Sequence, residues 1–600
     1  MHVRVWACLL ALLCSGLARA GGDVIFGGHT AGFEARYFVP TSDNEAARFL
    51  TQATFGPSRT SIAQFRGSSY EGWIDQQVAT QPTLARAYLD TLAALPAPPS
   101  LGQSQRMDRW FHTAALGPDQ LRQRMAFALS QVLVVSDRAD SLSGDHFGVA
   151  EYWDILARNA FGNYRTLLEE VTKSPMMGRY LSHWRNRKAS IDGTQLPDEN
   201  YAREIMQLFT IGLVERADDF SPILDGMGQP MPTYLQQDVS ELARVFTGWS
   251  YNCGSSPSCN TYTGINSGPS GYTPMACFPA YMDYGAKTLV GGVTIAAGPV
   301  CGTGSSGTSM PSDPAVQQAC RTYCVDQIDA ALDYLFNHPN VGPFVARQLI
   351  QRFVTSNPSG AYIARVATVF NNNGQGVRGD LGAVIRAILL DPEAREAPVD
   401  PASSYGKLRE PLLRLSAVWR AFGVTAPAAV NGEVQMGIRS PQDSFAQRPL
   451  GAPTVFNFYE PDHQPPGDLQ NAGLFAPEFQ IANETTAMTS ANELWNRVWA
   501  GYSTSGSGTF TTPTSSAYLT IADLIPLVSG ANGSGPAAYD LFLDELNLRL
   551  FGGGMSVETR ATLKNFLKFG VAETGSNRAT IQVLSTIHLA LLSPEFLIQR

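Results

Sequence analysis

The sequence has no run of basic residues, few histidines and no apolar stretch long enough to cross a bilayer. Its 43 lysines and arginines are outnumbered by 52 aspartates and glutamates, giving a net charge of −9. That balance argues against nucleic acid as a partner, because phosphate binding needs clustered positive charge. Familiar catalytic signatures are missing too. There is no HExxH zinc motif, no GxSxG nucleophile elbow and no phosphate loop. The string GTGSSG at 302–307 matches a dinucleotide fingerprint by letter only, since it runs into Pro311 rather than into a helix. No cofactor and no metal is predicted. Were a metal bound, His183 with Glu199 or Glu204 would be the first place to look.

Cysteine is absent from most of the chain. Cys8 and Cys14 fall inside an N-terminal segment with Arg4, an apolar run from Val5 to Leu13 and the small-x-small triplet Ala18-Arg19-Ala20. This is the pattern of a secretory signal cleaved after Ala20, so the protein is expected in the periplasm or outside the cell. Without the two leader arginines the remaining chain carries −11. The other six cysteines, Cys253, Cys259, Cys277, Cys301, Cys320 and Cys324, share one stretch. In an oxidising compartment an even set predicts three disulfides. Short loops favour the local pairs Cys253–Cys259 and Cys320–Cys324. Zinc is the rival for Cys320-x-x-x-Cys324, but the segment contains no histidine.

What the sequence does have is helical periodicity. Ser42-Asp43-Asn44-Glu45 is a capping box opening a helix through Phe49 and Leu50. Two helices are expected around Gly117-Pro118. One pattern recurs three times: LLEEVTKSPMMGRYL at 167–181, VIRAILLDPEAR at 384–395 and IHLALLSPEFLIQR at 587–600. In each an apolar helix meets Ser or Asp and then Pro, which cap and open the next helix. The fold class read from this is mainly α. A signal peptide (1–20) and an arm (21–41) precede a helical body in two parts (42–249 and 326–600). The parts are separated by a disulfide-stapled, Gly/Ser/Pro-rich insertion (250–325) with a short hairpin at Lys287–Ile295. Helix is expected to resume at 327.

Two segments are dense in charge. In PDENYAREIMQLFTIG (197–212), Glu199 and Arg203 are four apart, as are Asn200 and Glu204, so each pair shares a helix face. In QDVSELARVFTGW (237–249), Asp238, Glu241 and Arg244 recur every three residues. The two helices are expected to pack, with Arg203 bridging carboxylates of both. A buried cluster of this kind can raise one carboxylate's pKa while another stays ionised, as acid/base chemistry requires. It can equally be a salt-bridge network that locks two helices together. Glu199, Arg203, Glu204, Asp238, Glu241 and Arg244 are the candidate catalytic residues. Asn200, Trp249, Phe456 and Tyr459 are the candidate substrate contacts.

Taken together, DENYAREIMQLFTIG, DVSELARVFTGW, NAFGNYRTLLEEVTKSPMMGRYL, RQLIQRFVTSNPS, RGDLGAVIRAILLDPEAR and VFNFYEPD resemble the bacterial domain of unknown function 1800 family, from about Glu45 to Arg600. The resemblance implies an exported, mainly helical protein and carries over no activity. Its genes often neighbour those of a second exported family related to sulfatases and phosphatases, which implies a sulfatase-like partner and shared work on an extracellular polymer. Two functions are therefore expected: an exported hydrolase or lyase using the carboxylate/arginine cluster on such a polymer, or a non-catalytic binding or assembly protein. A glycan or peptide ligand suits both.

Overall fold

The computed structural model describes residues 39–252, 262, 271–304, 306–396, 404–502, 510–529, 536–571 and 577–600. The predicted signal peptide, the arm up to residue 38, Cys253 and Cys259 lie outside the described residues.

Local capping chemistry sets the helix boundaries. Ser42 accepts the backbone N–H of Glu45 at 3.1 Å and opens the helix Asp43–Ala53. Glu45 reaches back one residue further than a capping box requires, to the N–H and hydroxyl of Thr41 at 2.8 and 2.6 Å. The three recurrent units each fold as a long helix, a capping residue and a short helix with Pro in its first turn. These are Tyr164–Lys173 with Pro175–Tyr180, Leu381–Leu390 with Pro392–Arg395, and Arg578–Leu591 with Pro594–Leu597. Asp391 and Ser593 cap through their side chains, at 2.9 and 3.4 Å.

The chain is mainly helical, and its strands are two-residue pairs. One hydrophobic cluster runs from Ala46 to Phe596, so both parts of the helical body share a core. The last strand, Ile598–Gln599, closes against Lys407–Leu408, with Lys407 opposite Gln599. No helix among the described residues is long and apolar enough to cross a membrane.

The predicted hairpin is present, Lys287–Thr288 pairing with Thr294–Ile295. Helix resumes earlier than expected, in Pro314–Asn337, because Asp313 caps it and Pro314 fits its first turn. That shift decides the disulfides. Cys320 and Cys324 sit one turn apart on this helix, where Cβ atoms stand about 5–6 Å apart, beyond the roughly 3.5–4.5 Å a disulfide spans. They do not pair with each other, contrary to expectation. Cys324 bonds Cys277 and Cys320 bonds Cys301. These two bonds staple the insertion to the buried face of a core helix.

Candidate functional site

The first charged motif folds as a single turn of α-helix, Asn200–Glu204, running into a π-helical turn, Ile205–Thr210. Its outer face packs on the helix Gln236–Val245. Glu199 is the focus there. It accepts from Arg203 at 3.2 Å, from the Gln236 amide at 2.7 Å and from the Ser240 hydroxyl at 2.5 Å. Arg203 also donates to the Gln236 carbonyl at 3.0 Å. It does not bridge carboxylates of the two helices, because neutral Gln236 and Ser240 occupy the facing positions. Asp238 caps its own helix by accepting from Leu235 N–H at 2.7 Å. Glu241 pairs with Arg244, which forks onto Asp283 of the insertion at 3.1 and 3.0 Å. Asn200 is exposed and Trp249 is buried beside the insertion. Glu199, Asp238 and Glu241 therefore each serve a separate structural contact.

The inner face differs. The Tyr201 hydroxyl shares a 2.7 Å hydrogen bond with Thr172, and His183 stacks on the Tyr201 ring at 3.9 Å. His183 Nε2 lies 2.8 Å from the Thr172 carbonyl, and burial pushes its pKa down to about 4. Among the described residues no three His, Cys, Asp or Glu side chains gather as a metal site. Glu204 is 7 % exposed and its Oε2 has no hydrogen-bond partner. Desolvation raises its pKa, with only the Arg203 charge opposing. Tyr180 feels the carboxylate: burial and the Glu204 charge push its hydroxyl up to about 12.

The π-turn that starts one residue after Glu204 delivers Gln207 and Leu208 to the wall of a pocket of about 340 Å³. π-Turns are rare in helices and concentrate at functional sites. The facing wall is the loop holding VFNFYEPD, which contributes Phe456, Asn457, Tyr459, Glu460 and Asp462. This loop is held in unusual backbone: Ala446, Leu450 and Asn457 all adopt the left-handed region, at φ of 52°, 51° and 68°. Each costs on the order of 1 kcal/mol or more, strain that persists only where surroundings impose it. Asn457 is buried with its Nδ2 unpartnered.

Three guanidinium groups line the same pocket. Arg216 comes from the strand-like segment after the π-turn, and Arg347 and Arg352 come from the helix Val341–Phe353. Arg347 pairs with Asp462 at 2.5 Å. Neither Arg216 nor Arg352 has a carboxylate in ion-pair range among the described residues; they donate instead to Phe220 O and to the Gln131 and Gln348 carbonyls. Beneath the pocket lies a buried polar layer. Tyr459 donates to Gln131 at 2.8 Å, and Gln131 and Gln447 both donate to Glu410 at 2.6 Å. Lys407 pairs with Glu478 at 2.8 Å and binds the carbonyls of Gln351 and Arg352.

The two walls and the arginine helix carry three of the six segments by which the sequence resembles a known family, and a family model now decides the matter. A model described as "Protein of unknown function (DUF1800)" matches residues 48–598. The chain belongs to this family. No curated protein and no solved structure matches it. In this DUF1800 chain, sequence reasoning found Phe456, Tyr459 and the motif leading into the π-turn. It missed Arg216, Arg347, Arg352, Gln131 and Asn457. Arg347, Gln348, Gln351 and Arg352 within the otherwise apolar VGPFVARQLIQRFV were the available signal, since polar groups on a helix's buried side need a reason.

Proposed function

We propose that this protein is exported and holds an anionic segment of an extracellular polymer, a glycan foremost, in the pocket between the π-turn and the 455–462 loop. It acts as a hydrolase or lyase, with Glu204, buried one residue before the π-turn and outside the lining of the pocket, as the acid. The observation that carries the reading is the charge of the pocket. Arg216, Arg347 and Arg352 face one apolar-walled cavity, and only Arg347 is matched by a carboxylate. Guanidinium groups bind carboxylate, sulfate and phosphate through paired donors. Exposed Phe456 at the rim offers a sugar ring an apolar face. The raised pKa of Glu204 keeps its carboxyl protonated at higher pH than a surface glutamate, which suits a proton donor. Export rests on the leader pattern and agrees with the two disulfides.

The test is a screen of the purified protein on acidic and neutral polysaccharides, peptides, esters and phosphoesters. It follows both new reducing ends and the ultraviolet absorbance of unsaturated products. Turnover of an acidic polymer is expected, weakened at the binding step in Arg216→Gln and lost in Glu204→Gln. Stability separates loss of chemistry from loss of fold. Since burial raises the Glu204 pKa, its ionisation opposes folding once pH exceeds the usual glutamate range. Glu204→Gln should therefore melt no lower than wild type at neutral pH, with the two converging in acid. Saturable binding without product, unchanged in Glu204→Gln, would instead establish a non-catalytic binding or assembly role beside an exported, sulfatase-like partner. A folded protein that neither binds nor turns over any acidic polymer sinks the proposal.

A further inference from the structure

A second cavity, of about 410 Å³, opens where the helix Asp43–Ala53, the helices near the end of the sequence and the strand at Lys407–Leu408 meet. Arg48, Arg409 and Arg600 line it, together with the glycine turn 552–554 and a single acidic side chain, Glu595. Gly552 and Gly553 have φ of 57° and 91°, and a Cβ on Gly553 would stand 2.5 Å from Asn44. Glycine lets this turn pass close to the helix Asp43–Ala53, which carries Arg48.

Arg409 is the unusual member. Its side chain is buried, 7 % of the residue being exposed, and its Nε has no hydrogen-bond partner. Its other nitrogens reach only the Leu550 carbonyl, at the long distances of 3.5 and 3.4 Å. The guanidinium lies over the Phe596 ring at 5.0 Å, and no carboxylate is in ion-pair range among the described residues. Burial and the neighbouring positive charge of Arg414 push its pKa down to about 10, and only the Leu550 carbonyl and the Phe596 ring face the cation from the described residues. A buried charge without a partner is strongly unfavourable, and an anion from solution would offset it. Among the described residues Arg48 likewise has no carboxylate in ion-pair range; it donates to the carbonyls of Ala394 and Arg395. Glu595 turns one oxygen to the hydroxyls of Ser556 and Thr559, and leaves Oε2 buried and unpartnered.

We infer that this cavity is a binding site for a tetrahedral oxyanion, a sulfate or phosphate group, held by Arg409 and Arg48. The site is separate from the pocket of the proposed function and stands or falls without it.

Isothermal titration of the whole purified protein with sodium sulfate, sodium phosphate and glucose 6-sulfate tests this, against sodium chloride at matched ionic strength. Saturable binding is expected for the oxyanions and not for chloride, with one component that depends on Arg409 and Arg48. Tighter binding of the sugar ester than of free sulfate would assign the anion to a carried group; equal affinity would assign it to the free ion. Arg409→Gln and Arg48→Gln should each weaken this binding at least tenfold, while Arg386→Gln, at a guanidinium paired with Glu71 and Asp75 outside both cavities, leaves it unchanged. Should Arg409→Gln fail to fold, Arg48→Gln decides alone. An absence of saturable binding, or wild-type affinity in Arg48→Gln and in any folded Arg409→Gln, overturns the inference.

Discussion

Two charged regions lie within a few turns of chain from the pocket, and they are built on opposite principles. On the outer face, Glu199, Arg203, Gln236 and Ser240 saturate one another in contact with water; the Arg203 and Glu199 side chains remain 38 and 33 % exposed. In the buried layer, Lys407, Glu410 and Glu478 are nearly inaccessible, and both carboxylates leave an oxygen unpartnered. Solvent makes each contact of the first region replaceable. Low polarity makes each contact of the second difficult to replace. The comparison teaches that density of charged letters in a sequence marks a surface network as readily as a site. The less conspicuous residues, scattered over 131, 352, 407, 410, 459 and 478, underlie the pocket.

Removing Lys407 should break the comparison open most widely. Its ammonium compensates Glu478 directly and approaches Glu410 at 3.9 Å, while it binds the last carbonyls of the helix Val341–Phe353. Lys407→Met strands two buried carboxylates. Breaking a buried pair by removing one partner costs about 3–5 kcal/mol. Urea unfolding should show a loss of that size, largest at high pH where Glu478, whose pKa burial raises, must ionise. A loss below about 1 kcal/mol, the range of surface pairs, would mean that water reaches this layer and the contrast is false.

The inner face of the motif helix makes an intermediate case, through pH. The imidazole of His183 is buried between Tyr201 and the Thr172 carbonyl and its pKa falls to about 4. The unfolded chain takes up a proton near the ordinary histidine pKa of about 6.5, whereas the folded chain resists until about pH 4. Stability contributed by the neutral ring is thus complete above the first value and drains away as pH falls towards the second. At roughly 1.4 kcal/mol per pKa unit the loss is on the order of 3 kcal/mol. Comparing wild type with His183→Phe across this window isolates it, since the phenylalanine variant should lack the acid-dependent component. Parallel pH profiles for the two proteins would show that His183 is solvated.

These contrasts explain what the sequence makes legible. Helix starts are local events, so Ser42, Asp391 and Ser593 and the prolines after them were readable from a few residues each. The hairpin at 287–295 was readable for the same reason. Disulfide pairing was not, because it depends on where the helix Pro314–Asn337 begins, and capping by Asp313 moved that start ahead of both cysteines. The pocket was half legible. Phe456 and Tyr459 stood out as aromatics in an irregular loop, yet their partners Gln131 and Arg352 lie more than 100 residues away on apolar helices. No local pattern announces a contact between segments so far apart in the chain. Glu204 drew attention as part of a charged stripe. What distinguishes it from Glu199 is burial, and the helical turn it occupies places the two on different faces.

Arg203 gives the smallest expected effect and the sharpest boundary between the regions. Read as a buried bridge between two helices, its removal would cost as much as that of Lys407. The geometry argues for far less. The Glu199–Arg203 pair is an i,i+4 contact at 3.2 Å with both groups at least one-third exposed, and such pairs contribute about 0.3–0.5 kcal/mol. After Arg203→Ala, Glu199 keeps the Gln236 amide and the Ser240 hydroxyl, so no carboxylate is stranded. Gln236 loses one acceptor contact that water replaces. Urea unfolding of Arg203→Ala should therefore show a loss under about 1 kcal/mol. Salt should shrink it, because a Debye length of about 3 Å at 1 M screens an exposed pair. A salt-insensitive loss of 3 kcal/mol or more, a size typical of buried pairs, would place Arg203 with Lys407 and erase the distinction between the two faces. It would also return the 199–204 carboxylates to the catalytic reading as a connected buried cluster, rather than leaving Glu204 to carry it alone.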